Sequence, residues 1–358
     1  MKIASVVHVP PDRIPTRDIT FLDGFDILVL HNSWADNIPI IVNWMKSRGK
    51  RVVVSTDDLI IGHLIPENIS SRAAYLDPHT TRNIHDILEM ADRIVTTTPF
   101  LSNSLSKFYQ IPISKFHEYP NLPSINWLGR WMSSNRRPKS SGRWRVGVTS
   151  SLSHYAQKDG QKDDFQIIVD AAKALHGTKI EDRIQWVLPV NGDERTIARL
   201  SEFTKNIESV PQTPIRDYPA ALHKWDLDFS VAPLLKNDFN DSKSNIKMVE
   251  AAAMGYPLLA SRSCAYEGWV GERMMFDDAE GLAKLLSDVT TWSNEKYADV
   301  VKANYSSMFA RELDYYGQTI RGFWLEANID ATRRAWMDFS PKTVDGIVPP
   351  SVKEDVTE

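Results

Sequence analysis

One cysteine, Cys264, among 358 residues excludes an internal disulfide and a cysteine-based zinc cluster, and fits a reducing compartment. Cys264 reads as a small residue near a strand end rather than a nucleophile. No stretch approaches the roughly twenty apolar residues that a membrane-spanning helix requires. The formal charge of −4 gives no global attraction to nucleic acid or acidic lipid, so any polyanion site has to be local. Gly-x-Gly-x-x-Gly is missing, and with it support for a dinucleotide fingerprint. The opening MKIASVVHVPPDR is a short apolar run broken by two prolines, which reads as a first strand rather than a signal peptide. A cytoplasmic protein is the expectation.

What the chain does have is length enough for two cores and 42% hydrophobic residues, ordinary for a water-soluble fold. Strand-like runs alternate with helical stretches, the rhythm of a parallel α/β sheet. In the first half they are Ile3 to His8, Asp26 to His31, Arg51 to Ser55, Arg93 to Thr97 and Phe116 to Tyr119. Between the second and third, Ile38 to Arg48 has Ile40, Ile41, Trp44 and Met45 as the apolar positions of a crossover helix, with further helical pieces at His85 to Ala91 and Phe100 to Phe108. A second series comprises Trp144 to Thr149, Ile184 to Pro189, Ile207 to Val210, Leu227 to Ala232, Pro257 to Ser261 and Arg273 to Phe276. Its helical stretches are Asp164 to Leu175, Glu194 to Phe203 and Ala279 to Thr290, and the last long helical pattern runs from Ala310 to Trp336.

In an open parallel sheet the carboxyl ends of the strands line the ligand crevice. Those ends carry His8, His31 with Asn32, Asp57 with Asp58, Thr97 with Thr98, and Asn121. Asp57 and Asp58 have two open readings, a ligand contact or an N-cap for the next turn. From Leu128 to Arg145 there are six basic residues, Arg130, Arg136, Arg137, Lys139, Arg143 and Arg145, and no acidic ones. Trp127, Trp131 and Trp144 interleave with them. That mixture suits pairing with phosphates and stacking on bases, or else a solvated linker whose arginines cover tryptophans.

The most informative stretch is Phe239 to Ser261, FNDSKSNIKMVEAAAMGYPLLAS. It reads as a loop of small polar residues, Asn240 to Asn245, a helix from Ile246 to Met254, and a buried strand. Backbone N–H groups of a first helical turn have no intrahelical partner and form a seat for an anion such as phosphate. Gly255 can end the helix in a left-handed conformation, and Pro257 prevents its continuation. At about 100° per residue Glu250 falls about 40° from Ile246, at the edge of the face shared with Val249 and Ala253. A carboxylate there needs partners: the hydroxyls of a ligand, or Lys247 at i−3 on a solvated face.

SKSNIKMVEAAAMGYPLLAS resembles the nucleotide-sugar signature of GT-B glycosyltransferases, especially the family 4-like retaining group, in which a Glu–Ala pair precedes a small-residue helix, a Gly-x-Pro turn and a buried strand. Phage-type glycosyltransferases are similar in the KSNIK, EAAA and Gly segments. The resemblance implies two Rossmann-like domains facing a central cleft: an acceptor domain over 1–135, a nucleotide-sugar domain over 143–318, and a C-terminal helix over 320–345 crossing back to the first domain. After Lys342 the chain is polar with Pro349 and Pro350, so a flexible tail is expected over 346–358. The resemblance also implies that Glu250 holds the ribose hydroxyls of the donor and that Ser244, Asn245 and Ile246 hold its diphosphate. Lys158, Lys243 and Lys247 are candidates for phosphate charge, with Ser150, Ser151 and His154 in the turn after the first strand of the second series. Asp57, Asp58 and His31 become the candidates for catalysis or acceptor contact, and Arg130, Trp131, Arg136 and Arg137 for binding an acceptor, of which a hydroxymethylated pyrimidine in phage DNA is one. The family often carries a sugar-contacting Glu eight residues before the first; here that position is Ser242, with Asp241 or Asp238 as substitutes. A nucleotide sugar, UDP-sugar by preference, is thus the expected partner, as substrate rather than cofactor. No divalent metal is implied, since Asp226 and Asp228 straddle a predicted strand start instead of forming an Asp-x-Asp site.

Overall fold

The computed structural model describes residues 19–69, 71–119, 121, 128, 142–149, 162–190 and 193–309. Two parallel sheets organise them. The first has four strands, β1 (Ile27–His31), β2 (Arg51–Thr56), β3 (Arg93–Thr96) and β4 (Phe116–Glu118), hydrogen-bonded in that order. The second has six: β5 (Trp144–Val148), β6 (Ile184–Leu188), β7 (Ile207–Ser209), β8 (Phe229–Ala232), β9 (Leu258–Ser261) and β10 (Met275–Phe276), in the order β10-β9-β8-β5-β6-β7. Every pairing is parallel.

Such sheets need helices on their faces, and their strands are correspondingly apolar throughout. Val52, Val53 and Val54 of β2 and all four residues of β8 and of β9 are buried. Each sheet has its own hydrophobic core; Ile41, Val54, Ile84 and Leu101 belong to the first, and Val146, Ile168, Val231 and Met254 to the second. At about 1.5–3 kcal/mol per large apolar side chain removed from water, either set outweighs any single polar contact in the fold. In the Ile38–Ser47 crossover helix the inward face is Ile38, Ile41, Val42 and Met45. Ile40, expected to point inward, is 66% exposed: at about 100° per residue it falls on the side of the helix opposite Ile38, Ile41, Val42 and Met45.

The order of the second sheet reverses between β5 and β8: from β5 the chain winds through β6 and β7, then crosses to β8, β9 and β10 on the other side. This is the doubly wound arrangement, and ligands in it bind beyond the carboxyl ends of the strands at the reversal. β8 leaves that point through Pro233 and Leu234 into the Ile246–Met254 helix, which returns to β9. Gly255 ends this helix at φ 77°, the left-handed conformation that costs a residue with a Cβ about 1–2 kcal/mol.

The expected Asn240–Asn245 loop is partly helical: Asp238–Asp241 makes one turn, capped by Asn237, whose side chain accepts from the Asn240 N–H. A helix absent from the sequence reading covers Asn294–Phe309 and buries Tyr297, whose hydroxyl donates to the Asp228 carbonyl at 2.7 Å. The predicted strand Ile3–His8, the helical pattern Ala310–Trp336 with the proposed crossing helix, and the tail lie outside the described residues.

Candidate functional site

The carboxyl ends of the two sheets meet at the start of the Ile246–Met254 helix. Thr98, following β3, donates its hydroxyl to the Ser242 carbonyl at 3.4 Å, and Asn121, following β4, donates Nδ2–H to Ser244 Oγ at 2.7 Å. Phe239 packs against the core of the first sheet. Residues far apart in sequence thus surround the first turn of one helix.

That turn keeps its first two amides, of Ile246 and Lys247, open, while the Met248 N–H donates to the Asn245 carbonyl at 2.9 Å. Asn245 occupies the N-cap position but makes no side-chain cap bond. Its Nδ2 donates to the Asn121 carbonyl at 3.3 Å, and its buried Oδ1 has no partner among the described residues. Asparagine at an N-cap ordinarily accepts from the second or third amide of the helix, so here a favoured capping residue is turned from the task. The macrodipole and the uncapped amides together favour a negative group.

Past the first turn the helix is buried on all sides, from Met248 to Met254. Glu250 is therefore not at the margin of a solvated face; its side chain is 6% exposed. It accepts from Lys247 Nζ at 2.9 Å and from the Tyr218 hydroxyl at 3.3 Å. The ion pair expected from the i,i+3 spacing forms, but out of water, where removing one partner is costly. Tyr218 opens the Tyr218–Trp225 helix, and its hydroxyl also lies 3.4 Å from the carbonyl of Thr149 at the end of β5. It links the strand at the reversal to the helix, and sequence reading missed it. An aromatic directly before a proline at a helix start, at Tyr218–Pro219, was the available signal.

Lys243 sits on the face of Phe239, 4.5 Å from the ring centroid. Burial pulls its ammonium pKa down, and the carboxylates of Asp164, Asp58 and Asp57 oppose that. Asp164 is itself buried and accepts from the Leu235 N–H and from Asn240 Nδ2, both at 2.8 Å, fixing the loop that leaves β8. Ser242 is 1% exposed and donates its hydroxyl to the Asp238 carbonyl, so it cannot make the sugar contact of the family Glu. Asp241, one of the proposed substitutes, accepts from Ser263 Oγ at 3.0 Å. Asp238 is exposed.

On the first sheet, Asp57 Oδ1 accepts from Asn32 Nδ2 at 2.8 Å and lies 3.9 Å from His31 Nε2. Asn32 holds φ 46°, unusual for a non-glycine residue, and this places its amide over the carboxylate. Neither aspartate caps the next turn: Gly62–Leu64 has Ile61 at its N-cap and no side-chain bond, which removes the capping alternative. Asp58 is exposed by surface area, yet protein atoms lie close around its carboxyl group. That enclosure raises its pKa, the charge of Asp57 adds to the rise, and Lys243 and His31 oppose it. Asp58 and Lys243 come from opposite halves of the chain, so the crevice carries groups of both signs facing each other.

The basic linker divides. Arg145 forms a two-pronged pair with Glu208 at 2.7 and 2.9 Å, Arg143 donates to the Asp182 carbonyl at 3.0 Å, and Trp144 packs on Phe229. These three serve the second sheet rather than an acceptor. Arg130, Trp131, Arg136 and Arg137 lie outside the described residues, as do Ser150, Ser151, His154 and Lys158. Asp228 accepts from the Arg145 N–H and is buried at the strand start, a structural role. Burial raises the Cys264 thiol pKa, with Asp241 and Glu267 adding to it, the opposite of what activates a nucleophile. Among the described residues one group has metal-ligand spacing, His85, Asp86 and Glu89, and it lies in the last turns of the Pro78–Met90 helix, before the amino end of β3 and away from the crevice. No described helix is long and apolar enough to cross a membrane.

No protein-family model and no curated protein sequence matches the chain. Solved structures do. HepE from Anabaena in complex with UDP aligns at 13% identity and TM-score 0.59, over 85% of this chain and 79% of that one. An E. coli trehalose-6-phosphate protein bound with UDP-2-fluoro glucose aligns at 11% and 0.58, over 89% and 76%. A glycosyltransferase from Rickettsia africae aligns at 14% and 0.54, over 92% and 85%. The fold is that of the GT-B glycosyltransferases, with two Rossmann-like sheets meeting at their carboxyl ends.

Proposed function

We propose that the protein is a glycosyltransferase that moves a sugar from a nucleotide-diphosphate sugar, by preference a UDP-sugar, to an acceptor hydroxyl. One observation carries the reading: the uncapped first turn at Ser244–Ile246 lies at the sheet reversal, one turn before a buried carboxylate, Glu250. The diphosphate takes the amides and the Ser244 hydroxyl; the ribose hydroxyls exchange with the Tyr218 contact on Glu250. Two structures similar in fold hold UDP or UDP-2-fluoro glucose.

In the reaction the bond between the anomeric carbon and the β-phosphate oxygen breaks, and the acceptor oxygen bonds to that carbon. The leaving diphosphate gains negative charge, which the first-turn amides together with Lys243 and Lys247 stabilise more in the transition state than in the ground state. In the retaining reading, favoured by the family 4-like motif, a leaving diphosphate oxygen takes the acceptor proton and no protein base is needed. Asp57, Asp58 and His31 stand opposite and orient the acceptor; in an inverting enzyme one of them would take the proton.

For the acceptor, the phage-like KSNIK and EAAA segments and the Arg130, Trp131, Arg136 and Arg137 stretch favour a hydroxymethylated pyrimidine in DNA. Duplex binding that weakens steeply with salt supports that acceptor, and absent or salt-independent binding removes it. A second reading, a nucleotide-sugar sensor without turnover, is favoured by the burial of Ser242. Donor hydrolysis decides between them: a transferase slowly releases UDP from its own donor, and a sensor does not.

A further inference from the structure

Asn121 belongs to the first half of the chain, yet its two hydrogen bonds both end at the opening of the Ile246–Met254 helix. Its Nδ2 donates to Ser244 Oγ at 2.7 Å, and its carbonyl accepts from Asn245 Nδ2 at 3.3 Å. A serine hydroxyl has one proton and two lone pairs. With a lone pair taken by an amide donor, the Ser244 proton turns away from Asn121. The second bond, to the Asn121 main-chain carbonyl, holds the Asn245 amide nitrogen towards Asn121, and the Asn245 side chain makes no cap bond.

We infer that Asn121 is a positioning residue for the donor diphosphate: its side chain orients the Ser244 hydroxyl as a donor to phosphate, beside the open amides of Ile246 and Lys247. The seat for the anion is then complete only when the first half of the chain is in contact with the second. This rests on the nucleotide-diphosphate reading of the same helix.

The test is titration calorimetry of the full chain with UDP and with uridine, for the wild type, Asn121→Ala, Ser244→Ala and the double variant. Uridine retains the ribose hydroxyls for Glu250 and lacks the phosphates, so a general loosening of the site moves both ligands and a lost phosphate donor moves only UDP. Each single variant is expected to weaken UDP about tenfold, as for loss of a hydrogen bond to a charged group. Uridine stays within about twofold, and the double variant stays within about threefold of the weaker single, since residues acting through one contact are not additive. Unchanged UDP affinity in Asn121→Ala, equal losses for UDP and uridine, or multiplied losses in the double variant overturn the inference. Should Asn121→Ala fail to fold, Asn121→Leu, which removes the Nδ2 donor at similar volume, takes its place: UDP weakened with uridine unchanged supports the inference, and unchanged UDP affinity overturns it. Wild-type protein that binds neither ligand removes the proposed function as well, whereas wild-type UDP binding that the variants leave intact removes only the role of Asn121.

Discussion

Lys247 Nζ lies 2.9 Å from Glu250 Oε2 on a helix buried on every side after its first turn, and Tyr218 closes the pair with its hydroxyl 3.4 Å from the lysine and 3.3 Å from the glutamate. A carboxylate held this way is pre-oriented, with a neutral hydroxyl contact that a ligand hydroxyl can replace without leaving the charge unpaired.

Lys247→Met should destabilise the ligand-free protein by about 1–3 kcal/mol, because Glu250 then loses its charge-assisted bond in a dry setting. Adding Glu250→Gln should recover much of that loss. Urea unfolding of the two singles and the double checks it; additive losses would mean that the two residues do not act as a pair.

Lys243→Met should do the opposite to stability while harming binding. Burial lowers the Lys243 pKa below the ordinary 10.5, so the folded state binds fewer protons than the unfolded one between the lowered value and 10.5. Stability therefore rises with pH through that window, and the cost is full below it. The methionine variant should melt higher than wild type, with a gain that shrinks as pH approaches 10.5, and should bind UDP more weakly.

Asp58 titrates the other way round. Its folded pKa is raised above 3.8, so the folded state holds the proton more tightly and stability falls as pH climbs from 3.8 through the raised value. Asp58→Asn should stabilise the protein at neutral pH and make no difference below about pH 3.8, read from melting temperatures across that range. A gain independent of pH would contradict this origin.

Gly62 follows the Asp57–Asp58 segment with no room for a side chain: a Cβ there would lie 2.5 Å from the Tyr75 carbonyl oxygen, which is backbone and cannot swing aside. Gly62→Ala should cost about 1–3 kcal/mol in denaturant unfolding, the range for overpacking a filled site.

The second sheet was legible because its strands are short apolar runs broken by turn residues, and the Ile246–Met254 helix because Gly255 and Pro257 punctuate its end. Glu250 was legible as a residue but not in its setting. Periodicity places it at the rim of a face, while the small side chains of Ala251, Ala252 and Ala253 let neighbours close over the whole helix. Tyr218 and the parts played by Asn32 and Asn121 escaped because each works through a partner 25 or more residues away. The turn at Asp238–Asp241 escaped because its cap, Asn237, reads equally well as loop. Arg145 and Trp144 misled for the opposite reason: their composition suits a polyanion surface, and only folding shows Glu208 and Phe229 already engaging them.

The measurement that bears most directly on the account is calorimetric titration of UDP into wild type and Glu250→Ala, with folding of both verified by their melting transitions. Wild-type binding that falls about tenfold or more in the variant is the expected result, from the loss of charged hydrogen bonds to the ribose. Equal affinity for UDP in the two proteins would contradict it.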